Sequence, residues 1–147
     1  MSDAAPDTDL ALLIDRLMRH IHFGLQAKSA EFDTARVGPG GGIILLTLAD
    51  MGTPALSELT RRLARDKSQM TRAIRGLEEK GLLERSPSPE DGRVTRVALT
   101  AEGRDVVSGL HHAVAETIHD VLGPVSAEER ATLQGILARA LTPPPVN

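Results

Sequence analysis

The stretch from Ala55 to Arg104 reads ALSELTRRLARDKSQMTRAIRGLEEKGLLERSPSPEDGRVTRVALTAEGR. Apolar residues recur at helical spacing in its first two segments, which are separated by a short turn at residues 64–66. Asp66 is placed to cap the second segment, and Gly81 is placed to end it in a left-handed conformation. Two short helices joined by so short a turn predict a helix-turn-helix.

The segments on either side of this helix pair complete a small core. Upstream, Thr53 and Pro54 predict the start of the first helix, because a hydroxyl can cap free amides and proline is tolerated at the first helical position. Downstream, residues 82–85 and 94–99 predict two strands, and the polar residues 87–92 predict the loop between them. The second helix is therefore followed directly by a hairpin, the arrangement called a wing.

Two further helices are predicted upstream of this core. Apolar residues at helical spacing indicate a long amphipathic helix over about residues 8–30 and a short buried helix over about residues 43–50. The glycine-rich run 38–42 lies between them. Because no Gly-Lys-Ser/Thr follows this run, we interpret it as a flexible connection and not as a phosphate-binding loop.

Two more helices are predicted after the hairpin. Thr100 is placed to cap a long helix that stops at Gly123 and Pro124, and Ser126 with Glu129 predicts a capping box that opens the last helix. The fold class is therefore predicted as mainly α (α+β), a winged helix-turn-helix with long N- and C-terminal helices.

The composition excludes several classes of protein. With 147 residues, of which 41% are hydrophobic and 25% charged, the chain has the balance of a soluble globular domain. It contains no cysteine, which excludes disulfides, thiolate metal sites and a thiol redox switch. The acidic residues 1–9 show no leader pattern, and the longest apolar run, 43–46, is too short to span a bilayer. We therefore expect a cytoplasmic protein with no membrane partner.

Charge is distributed unevenly along the chain, whose formal net charge is -3. Residues 60–104 hold 11 basic and 7 acidic side chains, a net charge of +4, which leaves -7 for the remainder. Six of these basic residues fall between Arg61 and Arg75, against the single acid Asp66. Such a patch can neutralise phosphates while the acidic remainder keeps the molecule soluble. The alternative is an ordinary solvated helix face.

The second helix of the pair carries side chains that suit DNA. If Met70, Ile74 and Leu77 pack inward, polar and basic residues occupy the exposed face, where arginine can contact guanine and glutamine can contact adenine. Basic residues near the turn suit phosphates, and Arg93 at the hairpin tip, held by Asp91, suits the minor groove. The candidate DNA-binding residues are Ser57, Arg62, Arg65, Lys67, Ser68, Gln69, Thr71, Arg72, Arg75, Asp91, Arg93 and Arg96.

A family pattern runs through the middle of the chain in five segments. They are LSEL (56–59), DKSQMTR (66–72), LEEKGLLER (77–85), PEDGR (89–93) and LTAEGR (99–104). With these segments in register, and with the helix order around them, the chain resembles the MarR family of bacterial transcription regulators.

The resemblance implies a homodimer in which the first helix and the last two helices of each subunit intertwine. The face from Ser68 to Arg75 would enter the major groove of a palindromic operator, and Arg93 would enter the flanking minor groove. Half-sites would then lie about one helical turn, roughly 34 Å, apart. A dimer would also cover the apolar stripes of the outer helices, which have no evident partner within one subunit.

The resemblance also sets the domain bounds. We predict a single domain over residues 8–141, with the winged helix-turn-helix core at 43–99. The dimerisation helices would be 8–36 and 101–141, and the disordered ends 1–7 and 142–147.

A small-molecule effector is a further implication of the resemblance, with a pocket between the first helix, the second helix and the wing domain. His20, Phe23 and Thr47 are the candidate ligand-binding residues. All five histidines fall on the predicted dimerisation helices, but none of their spacings is diagnostic of zinc. We therefore expect no metal site and no cofactor.

The expected function is a sequence-specific DNA-binding transcriptional regulator, a homodimeric repressor that a small-molecule ligand relieves. The alternative is a winged-helix protein-interaction module, whose binding to duplex DNA would be weak and would not fall steeply with salt. An enzyme is not expected, because the sequence shows no nucleophile-base arrangement and no metal motif.

Overall fold

The computed structural model describes residues 5–142 and is mostly helical over that range. Its helices are α1 (Thr8–Phe32), α2 (Gly38–Met51), α3 (Leu56–Arg62), α4 (Lys67–Glu79), α5 (Ala101–Val121) and α6 (Ala127–Leu141). Strands β1 (Leu83–Pro87) and β2 (Thr95–Leu99) pair antiparallel. The predicted fold class, mainly α with a winged helix-turn-helix, is confirmed. Of the ends predicted to be disordered, residues 1–4 and 143–147 lie outside the described residues.

The chain divides into two compact units. The first combines Met1–Gly24 with Ala115–Asn147, and the second is Leu25–Val114. Within the first unit, Thr117 is buried against Gly24, where a Cβ would stand 2.7 Å from the threonine methyl carbon. Glycine therefore allows α1 and α5 to approach closely at this point. The predicted domain bounds stay a prediction.

The second unit contains the hydrophobic core, which is aliphatic. The core residues are Ile44, Leu45, Leu48, Leu59, Met70, Ile74, Leu77, Leu82, Leu83, Val97 and Val107. They come from α2, α3, α4, the hairpin and α5, so each element of the winged helix-turn-helix contributes to one core. The predicted inward stripe of the second helix, Met70 with Ile74 and Leu77, is confirmed, since none of the three is more than 4% exposed.

Three helix boundaries form as the sequence predicts. Asp66 caps α4 by accepting a hydrogen bond from the amide of Gln69 at 3.1 Å. Gly81 follows the last turn of α4 with φ of 74°, the left-handed conformation that glycine adopts without strain. Ser126 and Glu129 form the predicted capping box, in which each side chain accepts from the other residue's amide.

The glycine-rich run 38–42, predicted as a flexible connection, is instead the first turn of α2, which begins at Gly38 and not at about residue 43. The carboxylate of Asp33 accepts hydrogen bonds from the amides of Val37 at 2.8 Å and Gly38 at 3.0 Å. Gly42 is buried, and a Cβ there would stand 3.7 Å from Leu110. Only Gly41 is in tight contact, since a Cβ there would stand 3.1 Å from Val37 Cβ.

The start of α3 also differs from the prediction at Thr53 and Pro54. Its N-cap is Ala55, which has an extended backbone and forms an isolated antiparallel bridge with Arg96. The carbonyl of Pro54 accepts from the amide of Val97 at 3.0 Å. Pairing with β2 therefore holds residues 54–55 extended and delays the helix, a tertiary contact that capping preferences do not include.

The hairpin reaches further toward its tip than the predicted strand 82–85. β1 starts at Leu83 and continues to Pro87, which pairs with Thr95, and the amide of Ser88 then donates to the carbonyl of Val94 at 2.8 Å. Proline is acceptable here because β1 is an edge strand of the two-stranded sheet.

The first turn of α5 is fastened to the end of α4. Thr100 caps α5 as predicted, accepting from the amide of Gly103 at 3.0 Å, and its hydroxyl donates to the carbonyl of Gly81 at 2.6 Å. The amide of Thr100 donates to the carbonyl of Leu82 at 3.1 Å. A Cβ on Gly103 would stand only 1.9 Å from that carbonyl oxygen, so no larger residue fits.

Replacing Gly103 with alanine should therefore destabilise the protein by about 1–3 kcal/mol, because the backbone of Leu82 must move. Gly109→Ala in the same helix is the matched control, since a Cβ there has nothing within 4 Å. That control should stabilise by roughly 0.5–1 kcal/mol. Urea unfolding followed by circular dichroism measures both, and equal effects of the two substitutions would contradict the close approach at Gly103.

Candidate nucleic-acid interface

The outward face of α4 is polar and positively charged. Because Met70, Ile74 and Leu77 point into the core, the opposite side of the helix faces away from it. Five of the predicted residues on this helix are exposed, namely Lys67, Ser68, Gln69, Arg72 and Arg75. Donors and acceptors suited to base edges are therefore collected on one side of a capped, well-packed helix.

Thr71 differs from its neighbours on α4. It is half-buried, and its hydroxyl donates to the carbonyl of Lys67 at 2.9 Å. The Thr71 hydroxyl can therefore accept a hydrogen bond from DNA as it stands. To donate one to DNA, it must first break its bond to the Lys67 carbonyl.

The basic residues around the helix-turn-helix turn fall into two groups. Arg62 and Lys67 are exposed, as phosphate contacts require. Arg65 is half-buried, and its guanidinium lies beside α2, 3.6 Å from where a Cβ on Gly40 would stand. Arg65 therefore packs against the start of α2 in addition to carrying charge near the turn.

At the tip of the hairpin, Arg93 and Asp91 form the predicted pair. The amide of Arg93 donates to Asp91 Oδ1 at 3.1 Å, and the guanidinium Nε lies 3.6 Å from the same oxygen. The Arg93 side chain is 95% exposed, so it projects from the hairpin, while its backbone amide is held by the aspartate.

The remaining two predicted residues lie on α3 and β2. Ser57 is exposed on α3. Arg96 is engaged within the protein, because its Nη1 donates to the carbonyl of Thr53 at 3.3 Å and lies 3.9 Å from Glu58 Oε1. Arg96 therefore helps to hold the segment before α3 against β2, and a role in DNA binding stays a prediction.

Sequence reasoning missed an ion pair that joins α4 to β1. The guanidinium of Arg85 donates to both carboxylate oxygens of Glu78, at 2.9 and 3.2 Å, and the amide of Arg85 donates to the same carboxylate at 3.2 Å. The side-chain hydrogen bond from Arg85 holds the pKa of Glu78 below its ordinary value of 4.5. The two residues are separated by the turn at Gly81, so no regular helix or strand spacing reveals the pair.

Comparison with known proteins identifies the family. A family model described as "MarR family" matches residues 43–95. PecS of Dickeya dadantii, an HTH-type transcriptional regulator, is 30% identical over 133 residues, which cover 88% of this chain and 74% of PecS. A putative transcriptional regulatory protein for the hcr operon of Thauera aromatica is 31% identical over 145 residues, covering 90% of this chain and 86% of that protein. The chain belongs to the MarR family.

Solved MarR structures have the same fold. The reduced form of MarR from E. coli matches with a TM-score of 0.72 and 25% identity, over 96% of this chain and all of that one. A mutant MarR from E. coli complexed with operator DNA matches with a TM-score of 0.62 at 22% identity.

Among sequence relatives, YdgJ of Bacillus subtilis, an HTH-type transcriptional regulator, is 37% identical over 83 residues, and this chain spans 51% of its length.

The predicted ligand-binding residues of this MarR-family chain lie on α1 and α2. His20 and Phe23 are exposed on α1 and belong to the first unit, whereas Thr47 is half-buried on α2 in the second. The Nδ1 of His20 lies 3.2 Å from the carbonyl of Arg16, and the Phe23 ring meets the His22 ring edge-on at 5.7 Å. Binding of a ligand by these residues stays a prediction.

Metal ligands and membrane-spanning segments can be assessed over residues 5–142. In that range no three side chains of His, Cys, Asp or Glu are grouped so that they could hold a metal ion. Nor does any described helix combine the length and apolar character needed to cross a membrane.

The ion pair between Glu78 and Arg85 predicts a pH-dependent contribution to stability. Because the pKa of Glu78 is lowered in the folded protein, the pair stabilises it fully above about pH 4.5 and less as pH falls through the folded-state pKa. Glu78→Gln should therefore destabilise at pH 7, and its difference from wild type should vanish in acid. The exposed neighbour Glu79→Gln is the control; a constant difference at all pH values, measured by urea unfolding, would contradict the role of the carboxylate.

Proposed function

We propose that this chain is a DNA-binding transcriptional regulator that acts as a homodimeric repressor on a palindromic operator and is relieved by a small-molecule ligand. The observation that carries the proposal is the outward face of α4, where exposed arginine, glutamine and serine side chains stand on a helix whose opposite face is buried. The names of its relatives PecS and YdgJ agree with transcriptional regulation.

The outward face of α4 is suited to direct contact with bases in a major groove. Arg72 and Arg75 can each donate two hydrogen bonds to guanine O6 and N7, and Gln69 can pair with N6 and N7 of adenine. Lys67 and Arg62 lie nearer the helix start and suit phosphate oxygens, which position the helix without selecting sequence.

The wing is suited to the adjoining minor groove. Arg93 is almost fully exposed, and Asp91 holds its backbone and lies near its guanidinium. A narrow minor groove has a strongly negative potential that attracts an arginine inserted into it. The wing would therefore favour operators whose flanks have a narrow minor groove.

A homodimer is proposed because apolar side chains of α1 and α6 remain exposed in the single chain. Leu10, Leu13 and Met18 of α1 are 53%, 61% and 58% exposed, and Leu137 and Leu141 of α6 are 44% and 77% exposed. Neither helix contains a buried residue. A two-fold partner would bury this surface and set two α4 helices about 34 Å apart, one turn of DNA.

Relief by a small molecule requires only that the ligand bind one spacing of the two α4 helices better than the other. His20, Phe23 and Thr47 remain the proposed ligand-binding residues. We propose neither an enzymatic activity nor a cofactor, because no side chains singled out in the sequence form a nucleophile-base arrangement.

The proposed contacts predict how arginine substitutions change DNA binding. Arg72→Ala should weaken binding to a selected operator by about 1–3 kcal/mol and relax selectivity at one base pair, because a bidentate base contact is lost. Arg93→Ala should also weaken it, and more for operators with A·T-rich flanks. Fluorescence anisotropy on duplexes selected from random DNA measures both. Arg19→Ala, which breaks an exposed pair with Asp15 on α1, is the charge-matched control.

If neither Arg72→Ala nor Arg93→Ala weakens binding, the proposed contacts are wrong. The protein-interaction module would instead give weak binding by the wild type, with little dependence on salt concentration, since few phosphates are neutralised.

The homodimer predicts different outcomes for two neighbouring leucines of α1. Leu13 lies on the apolar stripe, whereas Leu12 points about 100° away around the helix, and the two are 61% and 58% exposed. Leu13→Glu should raise the dimer dissociation constant by on the order of 100-fold or more, because an unpaired charge would be buried. Leu12→Glu should change it little. Sedimentation equilibrium measures both, and equal effects would rule out this stripe as the interface.

A further inference from the structure

The C-terminal end of α4 is tied to the turn between α1 and α2. The ammonium group of Lys80, the residue that follows α4, donates to the carbonyl of Ala35 at 2.7 Å and to that of Arg36 at 2.9 Å. In the sequence, Lys80 is 45 positions from Ala35 and 44 positions from Arg36. We refer to Lys80 and these two carbonyls as the latch.

The turn that supplies the latch carbonyls is itself tightly held. Asp33 accepts from the amides of Val37 and Gly38 through its carboxylate and from the amide of Arg36 through its carbonyl. Arg36 has φ of 54°, a left-handed conformation that is unfavourable for a residue other than glycine. Such a conformation persists where the surroundings fix it, and here two carbonyls face one cation. The latch therefore joins α4 to a rigid turn.

Two more contacts join the start of α2 to α4 and the turn before it. A Cβ on Gly41 would stand 3.5 Å from Leu77 Cδ2, so the backbone of α2 lies directly against the last apolar residue of α4. The guanidinium of Arg65, just before α4, lies beside Gly40. The segment from Asp33 to Gly41 thus contacts the C-terminal part of α4 and the turn before it, and the position of α4 depends on it.

We propose that Lys80 is a positioning residue for DNA recognition, and that the latch transmits any displacement of the α1–α2 turn to the base-contacting face of α4. The inference rests on the proposed function. Hydrogen bonds to base edges hold only over a few tenths of an ångström, whereas long basic side chains follow a phosphate through larger shifts. Loss of the latch therefore reduces sequence discrimination more than it reduces overall DNA affinity.

Two lysines of the same helix region make a matched test. Lys80→Met removes the latch donor but keeps the apolar stem, Lys80→Arg keeps a donor, and Lys67→Met removes the same charge at the start of α4. Fluorescence anisotropy in a series of KCl concentrations gives affinities for a selected operator duplex and for a scrambled duplex of equal composition. The ratio of the two affinities measures discrimination, and the salt slope counts phosphate contacts.

For Lys80→Met we expect discrimination to fall on the order of tenfold with the salt slope unchanged, and Lys80→Arg to recover most of it. For Lys67→Met we expect both duplexes to weaken alike and the salt slope to fall by about 1. If Lys80→Met behaves as Lys67→Met does, Lys80 is a phosphate contact and the proposal is overturned. Unchanged discrimination in Lys80→Met overturns it as well.

Amide hydrogen exchange without DNA separates failure of the latch from failure of the proposed function. Wild-type protein that does not discriminate between the duplexes would contradict the proposed function. Amide exchange rates then test whether the latch positions α4. Lys80→Met should raise the exchange rates of the Val37, Gly38 and Gly81 amides and leave those of the hairpin amides unchanged. Unaltered exchange at these positions would overturn the latch itself.

Discussion

Burial of one stripe of α4 is the constraint on which the candidate interface depends. Met70 and Ile74 are four residues apart and almost completely enclosed, which fixes the rotation of the helix about its axis. With that rotation fixed, Arg72 and Arg75 are left on the exposed side of the helix. Turning the helix by one residue would expose a methionine and an isoleucine and bury a charged arginine, which is strongly unfavourable. The polar face is therefore specified by the apolar one.

The same helix also fixes its neighbours, chiefly through backbone groups near its C-terminal end. Glu78 engages both the side chain and the amide of Arg85, so the first strand of the hairpin begins at a set distance from α4. The carbonyls of Gly81 and Leu82 accept from Thr100, which places the start of α5. Hairpin, α4 and α5 consequently meet at one short segment.

The parts of the fold that sequence predicts are those specified by local periodicity and capping. The stripe of α4, its Asp66 cap and its Gly81 stop all follow from residues close together in sequence. The extended segment at Ala55 does not, because it depends on a partner far along the chain. The same holds for the interface. Exposure of residues such as Arg72 was predictable from the stripe, whereas the bonds of Arg96 and Lys80 required the folded structure.

Intramolecular bonds also separate the cations that are ready to bind DNA from those that are not. Arg93 is 95% exposed and lies 3.6 Å from Asp91, so exchanging this contact for DNA would cost little. Arg96 is only 30% exposed and would have to leave a backbone carbonyl as well as Glu58. Moving Arg96 would also loosen the segment before α3, which pairs with the same strand. On these grounds the wing would offer Arg93 to DNA and keep Arg96 for the fold.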